Sequence, residues 1–141
     1  MKAPGTAYDD PLLGKDPQPA HMSGYVNTSG DNGGVHINSG IPNHAFYVTA
    51  LEIGGSAWEK AGAIWYEALT NRLNASADFQ SAASQTFQAA GSLYGTGSLE
   101  QQAVKHGWAA VGIDAEVTGG SSNGSCLEQL LRLIGAAPAR K

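Results

Sequence analysis

The chain has 141 residues, 14% of them charged, and a formal net charge of −4. That balance leaves no electrostatic footprint for nucleic acid or for an anionic membrane surface. No apolar run nears the roughly 18–20 residues needed to span a bilayer, and this length suits one domain around a modest core. Cys126 is the only cysteine, so an intrachain disulfide is excluded and the redox compartment stays open. The opening Met1 to Gly5 has no apolar centre of a signal peptide, so no targeting address is expected from this stretch.

Residues 1–40 are rich in Pro, Gly, Asp, Asn and Ser. Pro4, Pro11, Pro17 and Pro19 forbid a long helix there. An irregular arm of this length points to a functional loop or to a surface wrapped onto a partner. Residues 41–113 read as four helices. The first spans about 41–53, with Pro42 in its first turn, Asn38 and Ser39 as caps, and Gly54-Gly55 as its stop. The second starts at Ser56, where Ser56-x-x-Glu59 forms a capping box. Trp58, Ala61, Trp65, Ala68 and Leu69 recur along it at helical spacing. The third spans about 78–94, carries an apolar stripe that includes Phe79, Ala83, Phe87 and Ala90, and stops at Gly95. The fourth starts at Ser98 with the box Ser98-x-x-Gln101. Leu99, Ala103, Val104, Trp108 and Val111 form its inner face. These aromatic stripes read as core. Residues 114–141 read as a tail. Thr118 to Ser125 is a Gly/Ser/Asn linker, and a short helix follows, capped by Ser125-x-x-Glu128, with Leu127, Leu130, Leu131 and Ile134 on one face. The expected fold is therefore all-α: a compact bundle of four main helices, preceded by a Pro/Gly-rich arm and followed by a short extra C-terminal helix.

The densest chemical signal is Asp31-Asn32-Gly33-Gly34-Val35-His36-Ile37-Asn38-Ser39-Gly40. Asp31 and His36 are five residues apart and do not share a helix face, but Gly33-Gly34 lets the backbone bend sharply between them. A carboxylate can then reach the Nδ1–H of the imidazole. Such a pair fixes the tautomer, turns Nε2 outward and raises the histidine pKa. An oriented, partly cationic imidazole can stabilise an oxyanion. Taken alone, an Asp and His flanking glycines more often make a turn-stabilising hydrogen bond. The other histidines carry blander readings. His21 is a loop hydrogen-bonder, able to approach a cleft in a larger enzyme. His44 packs or hydrogen-bonds within the first helix, and His106 faces solvent or a helix groove. Cys126 reads as a small apolar residue of the tail helix, with an intermolecular disulfide as the sharper alternative.

Asp31 to Ile41 resembles the Asp-Asn-Gly-Gly-Val-His-x-Asn-Ser-Gly-Ile motif of thermolysin-like zinc metallopeptidases at every specified position. The resemblance extends to Tyr8-x-Asp10-Pro11, Ile64-Trp65-Tyr66-x-Ala68-Leu69-Thr70, Phe79, Leu93-Tyr94-Gly95 and Trp108-Ala109-Ala110-Val111-Gly112. Gln18 to Met22 and Ile41 to Tyr47 are similar to a protealysin-like subgroup. The likeness covers about residues 1–113 and leaves out the tail. It implies the C-terminal helical lobe of a two-lobed peptidase: an arm and active-site loop over 1–40, then helices over 41–113. It also implies that His36 stabilises the tetrahedral oxyanion and that Asp31 orients it.

The departures are equally informative. The family holds zinc with a helical H-E-x-x-H and a further Glu. Here no histidine is followed by Glu, and His21, His36, His44 and His106 are separated by 15, 8 and 62 residues. The family's calcium-binding carboxylates and its substrate-binding Arg are expected upstream of Met1. Ala83 stands where the family's helices often carry Arg, a change expected to cost only a surface contact.

Two functions follow as expectations. The first is a piece of a zinc-dependent metalloendopeptidase, inactive alone, with no metal site of its own. Its partners would be the zinc-bearing N-terminal lobe and a peptide substrate, and zinc and calcium would bind in the complete enzyme. The second is a stand-alone, non-catalytic binding or assembly module. The family is mostly secreted, which leaves the compartment of this chain open. Ile41, Ala45 and Phe46 are expected on the surface left for the missing lobe, covered by the tail or by a homodimer partner.

Overall fold

A computed structural model describes residues 1–117. The linker and amphipathic helix expected over 118–141 lie outside the described residues, as does Cys126. The fold is a helical bundle with a short hairpin in its N-terminal arm: β1 (Asp9–Asp10), β2 (Gly14–Lys15), a 3-10 turn (Met22–Gly24), α1 (Asp31–Asn38), α2 (Gly40–Ile53), α3 (Lys60–Asn71), α4 (Phe79–Tyr94) and α5 (Leu99–Ala110). The two strands pair antiparallel, Asp9 with Lys15 and Asp10 with Gly14.

The helix ends follow from side chains three or four residues away. Asp78 accepts a hydrogen bond from Ser81 N at 2.7 Å and starts α4. Ser98 Oγ accepts from Gln101 N at 3.2 Å and starts α5, satisfying one of the donors that every helix N-terminus leaves unpaired. Gln101 does not complete the expected box. Its Oε1 accepts from Gly97 N and its Nε2 donates to Phe87 O, which ties α5 to α4. Gly54 (φ +73°) and Gly95 (φ +102°) end α2 and α4 in conformations that suit glycine.

α5 is the centre of the bundle, packed against α2 and α4, with α3 against α4 and α2. The core is built from small residues around Trp108, the largest fully buried side chain. Its indole Nε1 donates to Thr86 Oγ1 at 2.8 Å, and its ring stacks on Trp65 with centroids 6.3 Å apart. Gly107 lets α2 and α5 approach: a Cβ there would lie 2.6 Å from the Ala45 carbonyl oxygen.

Several expected faces are corrected by the packing. Ile41 and Ala45 are fully buried, because that side of α2 meets α5 rather than an absent lobe. Ala83 is also fully buried, so its position is core and not a surface contact. α3 begins at Lys60, not Ser56, since residues 56–59 form a turn in which Ser56 O accepts from Glu59 N. Trp58 therefore lies off the helical stripe and is 79% exposed. Leu69 and Leu99 sit at helical spacing but on outward faces, and Leu99 is 81% exposed.

The arm wraps its own domain. Asp16 is buried, and its carboxylate accepts from Gly5 N, Ala7 N and Gln18 N at 3.0–3.1 Å. Those amides, Ala7 first, hold its pKa below the ordinary carboxylate value. Met22 N donates to Val111 O at 2.9 Å, which fastens the arm to the end of α5.

Candidate active site

Asp31, Asn32, Gly33 and Gly34 all have positive φ, at 52°, 48°, 86° and 79°. Together they make one left-handed turn, in which the N–H groups of Gly33 and Gly34 both donate to Gly30 O at 3.0 Å. Glycine takes this conformation freely, and Asp and Asn tolerate it better than other side chains. Val35 then begins a right-handed segment. The reversal of hand brings the Asp31 carboxylate back over the start of that segment. Asp31 Oδ2 accepts from His36 N at 2.9 Å and from Ile37 N at 3.3 Å, while Oδ1 accepts from His36 Nδ1. One carboxylate thus caps a helix start and orients an imidazole.

The His36 side chain is 84% exposed and that of Asp31 only 26%. With Nδ1 engaged by Asp31, Nε2 is the nitrogen presented outward. The Asp31 hydrogen bond, helped by its negative charge, raises the His36 pKa above the ordinary 6.5. The same bond is the main reason that Asp31 lies below the ordinary 3.8. Each group favours the charged form of the other.

The rest of the motif serves this loop. Asn38 is buried, and its amide brackets one residue of the arm: Oδ1 accepts from Val26 N and Nδ2 donates to Val26 O, both at 2.9 Å. Asn38 is therefore not the cap expected for the following helix. Ser39 does occupy the N-cap position of α2, but its side chain makes no capping bond. Its hydroxyl donates to His36 O at 2.8 Å instead. Gln18, noted in the sequence only within a subgroup resemblance and not as a site residue, donates from Nε2 to His36 O at 2.9 Å and to Ser39 Oγ at 3.0 Å. No local pattern links residues so far apart, so this tie was invisible in the sequence. Gly34 is packed so closely that a Cβ would lie 2.9 Å from Asn38 Nδ2. A concavity of about 320 Å³ lies beside His36, lined also by Tyr8, Asp16, Gln18 and Ile37.

No other histidine joins this pair. His21 Nδ1 accepts from Ser23 N and caps the 3-10 turn. His44 bonds Met1 O and stacks on Tyr47. His106 pairs with Glu52 across α5 and α2 at 2.7 Å. Among the described residues, no three His, Cys, Asp or Glu side chains converge as a metal site would require.

Comparison with known proteins agrees with the motif. A family model for the thermolysin metallopeptidase α-helical domain matches residues 1–113. An extracellular metalloprotease of Pectobacterium carotovorum is 52% identical over 115 residues, covering 81% of this chain and 33% of that protein. An extracellular minor metalloprotease of Serratia marcescens is 70% identical over 60 residues, covering 43% of this chain and 17% of that protein. The solved precursor of protealysin, a metalloproteinase from Serratia proteamaculans, superposes with a TM-score of 0.75 at 55% identity, covering 79% of this chain and 34% of that one. The chain thus spans no more than about a third of the length of these relatives. The chain belongs to the thermolysin metallopeptidase family, and residues 1–113 are its C-terminal α-helical domain.

Proposed function

We propose that this domain supplies the oxyanion-stabilising group of a zinc-dependent metalloendopeptidase whose zinc-bearing N-terminal lobe is its partner. The observation that carries this reading is the Asp31–His36 pair, with Nδ1 held and Nε2 turned to solvent. Zinc, when bound in the complete enzyme, polarises a carbonyl and activates water. The described residues of this chain gather no site for it, and on this reading zinc and calcium both belong to the other lobe. The Pectobacterium carotovorum and Serratia marcescens relatives are called extracellular, and secretion of the parent enzyme forms part of the proposal.

The role of this chain is electrostatic. Attack on a peptide carbonyl places negative charge on its oxygen. An imidazolium Nε2–H aimed at that oxygen donates a charge-assisted hydrogen bond that strengthens as the charge develops. Asp31 holds the tautomer and raises the fraction of cationic His36 near neutral pH. Because the donor is oriented before substrate arrives, little reorganisation accompanies the reaction. A free-standing binding module has no evident use for such a pair, and this favours the peptidase reading.

The test joins this chain to the zinc-bearing lobe of the Pectobacterium relative and replaces His36 by Ala. Loss of one oxyanion donor lowers kcat by about 10²–10³-fold with a smaller change in KM. Circular dichroism checks that the variant is folded. A folded His36→Ala chimera with undiminished kcat would overturn the proposal.

A further inference from the structure

A groove of about 570 Å³ lies between the left-handed turn, the Met22–Tyr25 stretch of the arm and the start of α4. Its apolar lining includes Met22, Tyr25, Val35, Phe79 and Ile113. Val35 and Tyr25 remain about half exposed. An uncovered apolar surface of this kind normally marks an interaction site.

The chain itself leaves the described domain at the rim of this groove. Gln80 lines it, and Gln80 Nε2 donates to Asp114 O at 2.7 Å and Val117 O at 3.0 Å. Ser84 Oγ also donates to Val117 O at 2.5 Å. The residues that follow include an apolar set, Leu127, Leu130, Leu131, Leu133 and Ile134, in a segment outside the family match. The ten residues from Thr118 to Leu127 extend to about 33–36 Å, so the groove is well within their reach.

We propose that residues 127–134 of the same chain occupy this groove and cover the flank of the loop that carries His36. The tether argues for the same molecule rather than a second copy. A short tether gives an effective concentration of about millimolar, and doubling a tether's length costs only about 0.6 kcal/mol. A second copy must compete from a lower concentration and meet the same groove without a tether. The Gly/Ser/Asn composition of residues 118–125 lets the chain turn back immediately after Val117.

The single cysteine provides the test on the whole 141-residue chain. A nitroxide at Cys126 should broaden amide resonances of Gly33, Gly34, Val35, Gln80 and Ile113. An equimolar mixture of isotope-labelled, untagged chain with unlabelled, tagged chain should show no such broadening. Broadening in the mixture means a second copy and overturns the proposal. So does broadening confined to a separate cavity of about 670 Å³ lined by Trp65, Leu73 and Ala75, or none at all. As an independent measure, Leu130→Asp with Leu131→Asp should increase hydrogen exchange at Gly34 and Ile113 without disturbing the helices. Unchanged exchange at both amides overturns the proposal.

Discussion

The Asp31 carboxylate holds His36 at two points, the imidazole Nδ1 through Oδ1 and the backbone N–H through Oδ2. Side-chain orientation and helix start are therefore coupled. The imidazole cannot turn away without losing a partner, and the helix that begins at Val35 cannot fray without loosening the imidazole.

This coupling predicts a pH window. The raised His36 pKa contributes stability that is full below 6.5 and is lost as pH rises through the raised value. The lowered Asp31 pKa contributes stability that is present above 3.8 and is lost as pH falls through the lowered value. Both contributions are full between those two ordinary values. The urea midpoint of the native chain should exceed that of Asp31→Asn by more at pH 5 than at pH 9. NMR titration should show the His36 pKa falling toward 6.5 in Asp31→Asn. A gap independent of pH would refute the coupling.

Gly33 and Gly34 should respond differently to alanine. Both have positive φ, but a Cβ at Gly33 meets nothing within 4 Å. Gly33→Ala should lose only the left-handed strain, about 1–2 kcal/mol. At Gly34 the Cβ also meets Asn38 Nδ2 at 2.9 Å and Val26 O at 3.2 Å, which adds roughly 1–3 kcal/mol of overpacking. Urea denaturation separates the two. Equal losses would mean that the contacts around Gly34 relax without cost.

Asn38→Ala removes both bonds to Val26 and leaves a part-buried N–H and C=O without their partner. The expected cost is about 1–3 kcal/mol. Amide exchange at Val26 should rise more than exchange along α4 or α5, since the damage is confined to the arm. Asn38→Asp, which keeps an acceptor but loses the donor, should recover only part of the loss.

Asn32-Gly33 is an Asn-Gly pair, the sequence most open to deamidation, yet the fold should protect it. Deamidation needs the Gly33 nitrogen to attack the Asn32 side-chain carbonyl, closing a succinimide and releasing ammonia; water then opens the ring. Asn32 has ψ 44°, which places that nitrogen nearly opposite Cβ, and the Gly33 N–H is bound to Gly30 O. Mass spectrometry should find Asn32 intact in folded chain long after urea-unfolded chain has converted. Equal rates in the two states would show that the turn opens freely.

What was legible in the sequence lies close together along it. The caps at Asp78 and Ser98 and the stops at Gly54 and Gly95 act within a single turn, so short spacing predicts them. The Asp31–His36 contact was legible for the same reason: two glycines and five positions leave few ways for the groups to miss each other. The motif around them also carries the family resemblance on its own. Periodicity located four helices but misjudged some of their faces. Trp58, Leu69 and Leu99 were read onto apolar stripes and stay exposed, while Ile41, Ala45 and Ala83, placed at the surface by the family resemblance and not by spacing, are fully buried. Spacing shows that a helix has an apolar stripe, but the neighbour packed against it decides how far burial extends. The ties of Asn38 to Val26 and of Gln18 to His36 span 12 and 18 residues. No local pattern encodes them, because they exist only once the arm has folded back on the bundle. The sequence by itself determined the four main helices, most of their ends and the Asp31–His36 motif, all governed by interactions within a few residues. Only the tertiary structure decided which faces became core and which distant side chains hold the His36 loop, because those depend on where the chain returns in space.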